Sequence, residues 1–164
     1  MIRPVAMKRL SAATLACSAL VFGGSVLAGN SRASSGAQVS YVCSAVDKQF
    51  IATVSSNMTQ LGYWSDALVH NDVKPDVVIQ QALSESGQIS ATSPEDRTLH
   101  ATRDLLASMF KEYSKAVAVT VNGRDAAHHM QNAWRLANAS HKLLAGAQGG
   151  LAAQGCDVSP LLSP

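Results

Sequence analysis

The chain has 164 residues, 13 basic against 11 acidic, and charged side chains make up only 15% of it. That is well under the roughly 25% of an ordinary soluble domain, and the basic residues form no dense patch, which excludes a nucleic-acid surface. The length left after a leader suits one core, with no internal repeat.

Residues 1–28 read as a bacterial-type signal peptide. Arg3, Lys8 and Arg9 supply the positive start and Leu10–Phe22 the uncharged apolar stretch. Gly23-Gly24 breaks the helix, and Val26-Leu27-Ala28 offers small residues for cleavage after Ala28. The alternative is an uncleaved leader that tethers the protein to a membrane, because Leu10–Ala28 runs 19 residues without a charge. Acylation at Cys17 would need an aliphatic residue where Thr14 stands. Losing Arg3, Lys8 and Arg9 takes the 13 basic residues to 10 against 11 acidic ones. Export to a secreted or periplasmic setting is therefore expected, with no membrane span once the leader is gone.

Residues 29–37 have no apolar period and read as a disordered tether. A helical bundle domain is expected over 38–158, with a tail at 159–164. Cys43, Val46, Phe50, Val54, Met58, Leu61, Trp64 and Leu68 recur at helical spacing, so a long first helix follows, interrupted at Gly62 and ended by Asn71-Asp72. Pro75 opens a second, shorter helix with Val78, Ile79, Ala82 and Leu83 on its apolar side and Gly87 as its stop. Ser93-Pro94-Glu95-Asp96 places a cap, a first-turn proline and two acids at the start of a third. Its stripe runs Leu99, Thr102, Leu106, Met109, Tyr113, Val117 and Val121, and Asn122-Gly123 stops it. Asp125 caps a fourth helix, whose stripe of Met130, Ala133, Ala137, Ser140, Leu144, Ala147 and Leu151 is small in volume. Its glycines, Gly146, Gly149 and Gly150, weaken the last turns.

Two cysteines remain outside the leader. In an exported chain Cys43 and Cys156 form one structural disulfide, since a redox pair would stand much closer in sequence. The bridge also sets the topology. An even number of antiparallel helices returns the chain to its starting end, so the expected fold is all-α, a four-helix up-down-up-down bundle closed by Cys43–Cys156.

Catalytic signatures are missing: no His-Glu-x-x-His helix, no Gly-x-Ser-x-Gly turn, no phosphate-binding glycine loop. Glu85, Glu95 and Glu112 are the only glutamates. Glu95 belongs to a helix start, Glu112 to a solvated face with Lys115, and Glu85 to a helix end. No aspartate falls on an apolar stripe. His129 lies about 40° and His141 about 80° from the centre of the fourth stripe, and His100 and His128 face solvent. His129 and His141 stand roughly 18 Å apart along one helix, too far to share a metal.

The leading expectation is a non-catalytic module without catalytic residues, metal or cofactor, which binds an unknown protein or a cell-envelope component. The alternative is a carrier of haem or another flat apolar ligand, held between helices by Met58, Met109, Tyr113 and His129 or His141, with Met130 nearby. Tyr63-Trp64 pairs a core tryptophan with an edge tyrosine, or offers a partner anchor. The sequons at Asn57 and Asn138 fall in mid-helix and are coincidental.

Overall fold

A computed structural model describes residues 41–163; the leader and tether of the sequence reading lie outside them. Four helices follow in order: α1 (Ala45–Val69), α2 (Pro75–Ala91), α3 (Arg97–Val121) and α4 (Ala127–Ala153), then a single 3₁₀ turn at Ser159–Leu161. They form an all-α bundle closed by the Cys43–Cys156 disulfide, whose Cα atoms are 5.2 Å apart. Beside the bridge, the Cys43 amide donates to the Gln154 carbonyl at 2.8 Å.

Local chemistry explains the helix ends. α1 starts on a capping box in which Ser44 and Asp47 satisfy each other's free donors. Its far end turns back through Asn71 at φ 62°, with the Asp72 amide reaching the Ala67 carbonyl at 2.8 Å. α3 and α4 end in the same reverse-wound way, at Gly123 (φ 68°) and Gly155 (φ 85°). Glycine carries no Cβ penalty in that left-handed region. The turn at Gly155 sends Cys156 back toward the start of α1, where the disulfide closes.

Several boundaries differ from those expected. α1 runs unbroken through Gly62, and α2 continues past an exposed Gly87 to Ala91, where the Thr92 hydroxyl caps the Ile89 carbonyl at 2.6 Å. α3 starts on Asp96, which accepts from the Thr98 and Leu99 amides at 2.7 and 3.0 Å, and not on Ser93-Pro94. The reason is tertiary. The amides of Glu95 and Asp96 donate to the Asp47 carboxylate at 2.8 and 3.2 Å, which holds that stretch as a loop. At α4 the N-cap position falls on Ala126, which has no side-chain cap bond, and not on Asp125; Asp125 stands one residue earlier and accepts from the Ala127 amide at 2.8 Å.

The buried core includes Phe50, Val54, Ile89, Leu99, Phe110 and Leu144, and Leu161 and Leu162 of the C-terminal segment pack against it. α3 lies closest to α2 and α4, and the 3₁₀ turn packs on α1 and α4. The stripe of α1 needs correction. Met58 is 40% exposed and Val46 also faces out, while Asp47, Ile51 and Asn57 are buried in their place. Met130 on α4 is likewise 46% exposed. Buried polar side chains are tolerated there because they find partners: Asp47 takes the two loop amides, the Ser44 hydroxyl at 2.6 Å and the Tyr41 hydroxyl. Asn57 donates to the Glu85 carbonyl at 3.4 Å.

Candidate functional site

The helix hairpin turning at Asn122-Gly123 lays the later turns of α3 beside the first turns of α4, and there the polar side chains converge. Glu112 projects from α3 into a groove of about 580 Å³. One carboxylate oxygen accepts from Lys115 Nζ at 2.6 Å. The other accepts from His129 Nδ1 at 2.8 Å and Asn132 Nδ2 at 3.4 Å. These bonds, that of His129 foremost, hold the Glu112 carboxyl at a pKa of about 2. An ionised carboxylate only accepts, so His129 Nδ1 carries the proton of this bond. Arg135 donates to the Asn132 side-chain carbonyl, and the His128 and His129 rings meet edge to face at 5.5 Å. Glu112 is thus the hub of an interhelical network and not simply a solvated partner of Lys115.

A histidine oriented by a carboxylate is a familiar general-base arrangement. Among the described residues, however, no hydroxyl or thiol is hydrogen-bonded to His129, and both cysteines are joined in the disulfide. The only close set of three metal-type side chains among them is Cys43, Asp47 and Cys156. Its sulfurs are bonded to each other and so offer no thiolate.

The residues proposed from sequence as ligands are distributed through the fold. Met109 is in the core and Met58 is exposed on α1. The Tyr113 hydroxyl bonds the Ser65 hydroxyl at 2.7 Å, linking α3 to α1. His129 is tied to Glu112 in the α3–α4 groove, and His141 lies exposed on α4.

Glu85 also differs from expectation. It sits inside α2, wholly buried, where burial raises its pKa against a bond from Gln81 at 3.0 Å. Its Oε2 has no hydrogen-bond partner among the described residues. A glutamate in place of an apolar residue carries no sequence signal of this, since Ser84, Glu85 and Ser86 read as a polar helix end. The pKa of the Asp157 carboxyl is lowered by the bonds it accepts from the Ser159 hydroxyl and amide, just before the 3₁₀ turn. The carboxyls with displaced pKa therefore lie in three separate places.

The exposed aromatic surface has two parts. Tyr63 faces out and Trp64 is half-buried, their rings edge to face at 5.1 Å. Trp134 on α4 is 67% exposed, and Met130 precedes it by one turn. A second groove, of about 740 Å³, runs between α1 and the C-terminal segment, where Ser55, Ser56 and Thr59 face Asp157 and Pro160. Sequence reasoning missed Trp134, a lone tryptophan with no aromatic neighbour in the chain. Its place four residues after Met130 and beside Arg135 was the available signal. No helix among the described residues is long and apolar enough to cross a membrane. Comparison with protein families, characterised proteins and solved structures finds no match to this chain.

Proposed function

We propose that the protein is a non-catalytic, extracytoplasmic helical module that binds a partner through the outer flank of α4. The observation that carries this reading is the exposure of Trp134 together with Met130 one turn earlier. Tryptophan is among the residues most enriched where binding energy concentrates. α4 contains no aspartate or glutamate from Ala127 to Ala153. Its flank therefore suits a protein or envelope component that presents an apolar notch bordered by acidic groups.

The disulfide supports an oxidising compartment. The non-catalytic part of the proposal is supported by the dispersal of the shifted carboxyls and by the fact that no hydroxyl or thiol among the described residues bonds His129. The test is retention of the purified protein by envelope preparations of the producing cells. Trp134→Ala should reduce retention by about tenfold, an amount common for an anchor, with the helical circular dichroism unchanged. Equal retention of Trp134→Ala and the parent would remove α4 from the contact.

A further inference from the structure

On a helical wheel Arg135 lies 100° from Trp134, so the α3–α4 groove opens on a different side of α4 from the tryptophan flank. Its rims are donor-rich. Lys111 and Lys115 stand on α3, Asn132 and Arg135 on α4, and Ser108 and Ala139 are small enough to leave space between the helices. Glu112 is the one acidic group in the lining, and its two oxygens are already occupied by Lys115, His129 and Asn132. Lys111 and Arg135 form no ion pair among the described residues.

The charges decide the ligand class. With Glu112 ionised, Lys111, Lys115 and Arg135 outweigh it by two positive charges. A single carboxylate ligand would leave one unbalanced, whereas a phosphate monoester balances both. Arginine offers a planar fork of donors and lysine a mobile point charge, a combination suited to phosphoryl oxygens. We infer that the α3–α4 groove is a binding site for a dianionic phosphoryl group, gripped by Arg135 from α4 and Lys111 from α3, with Lys115 oriented at its edge by Glu112. Glu112 and His129 then serve as positioning residues: they hold Lys115 and Asn132 in place without touching the ligand.

The chemistry is shared by a soluble phosphate ester and by the headgroup of a phosphomonoester lipid, and the test separates them. The full chain at low ionic strength is titrated calorimetrically with inorganic phosphate, glycerol phosphate and acetate, and by sedimentation with vesicles containing phosphatidic acid. Saturable binding of the phosphates, with acetate about tenfold weaker or worse, is expected. Lys111→Ala and Arg135→Ala should each weaken it by about tenfold. Lys142→Ala removes the same charge outside the groove lining and should change it by less than about twofold. Binding of the vesicles alone, with the same dependence on Lys111 and Arg135, assigns the phosphoryl group to a lipid. The inference is overturned if neither phosphate nor vesicles bind saturably, or if binding is indifferent to Lys111 and Arg135. All three side chains lie on the surface, and an unchanged melting temperature establishes that each variant is folded. Failure here leaves the Trp134 flank untouched, because retention there is read with a different variant.

Discussion

Replacing Glu85 with methionine should stabilise this protein at neutral pH. The carboxyl is wholly buried in α2, Gln81 satisfies one oxygen at 3.0 Å, and Oε2 has no partner among the described residues. An unsatisfied buried polar group costs about 1–3 kcal/mol. Methionine has a similar length and brings no such group, while Gln81 keeps its second bond, to Gln60 at 3.1 Å. The expected gain is therefore about 1–3 kcal/mol, or at least about 3–4 °C in melting temperature for a domain of this size. The sign with pH is fixed by the direction of the shift. Burial raises the folded pKa above 4.5, so the unfolded chain ionises first. The contribution of Glu85 to stability is complete below that value and is lost as pH climbs through the folded pKa. Melts followed by circular dichroism at about pH 5 and about pH 7.5 should show Glu85→Met gaining more at the higher pH. An equal loss of stability at both values would mean that Oε2 is satisfied, and would refute the reasoning.

Glu112 should act in the opposite sense. Its pKa is depressed to about 2, so its contribution is present above about 4.5 and disappears as pH falls toward about 2. Glu112→Gln should flatten the acid limb of a stability profile, by less than about 3 kcal/mol because Lys115 is largely solvent-screened. The Cys43–Cys156 bridge spans a sequence separation of 113, and Cys43→Ala with Cys156→Ala should cost about 2–5 kcal/mol in denaturant unfolding. Non-reducing mass analysis of the parent should find this one intramolecular bridge, with neither Cys43 nor Cys156 as a free thiol. Haem titration should give no saturable Soret shift and no rise in melting temperature, because Met58, Met109, Tyr113, His129 and His141 are divided between surface, core and groove. A saturable shift lost in His129→Ala or His141→Ala would contradict that.

The bundle was legible because its determinants are local or countable. Asn71, Gly123 and the apolar period act within a few residues, and two distant cysteines demand an even number of helices. What sequence hid is tertiary satisfaction of polar groups. Asp47 looks like an exposed first-turn acid, yet it is buried because the loop before α3 donates two amides to it, and this same contact defeats the local start at Ser93-Pro94. Glu85 is invisible for the converse reason, since nothing in a one-dimensional pattern marks an apolar position filled by a carboxyl. At the candidate site, His129 was placed near an inward face, but its partner was not evident. Lys115 stands three residues from Glu112 and explains that acid on its own, so the cross-helix bond to His129 had no separate trace. The α4 flank was half visible: Met130 was counted with the inward stripe, and it turns outward beside Trp134.

The functional reading is tested most directly by a photo-reactive amino acid placed at position 134 of the full chain, with the same group at Gln88 on exposed α2 surface as the comparison. Irradiation of producing cells should yield a discrete cross-linked species from position 134, absent from position 88 and weakened when Met130 is changed to serine. No cross-link from position 134, or an indiscriminate pattern shared by both positions, would contradict partner binding through α4.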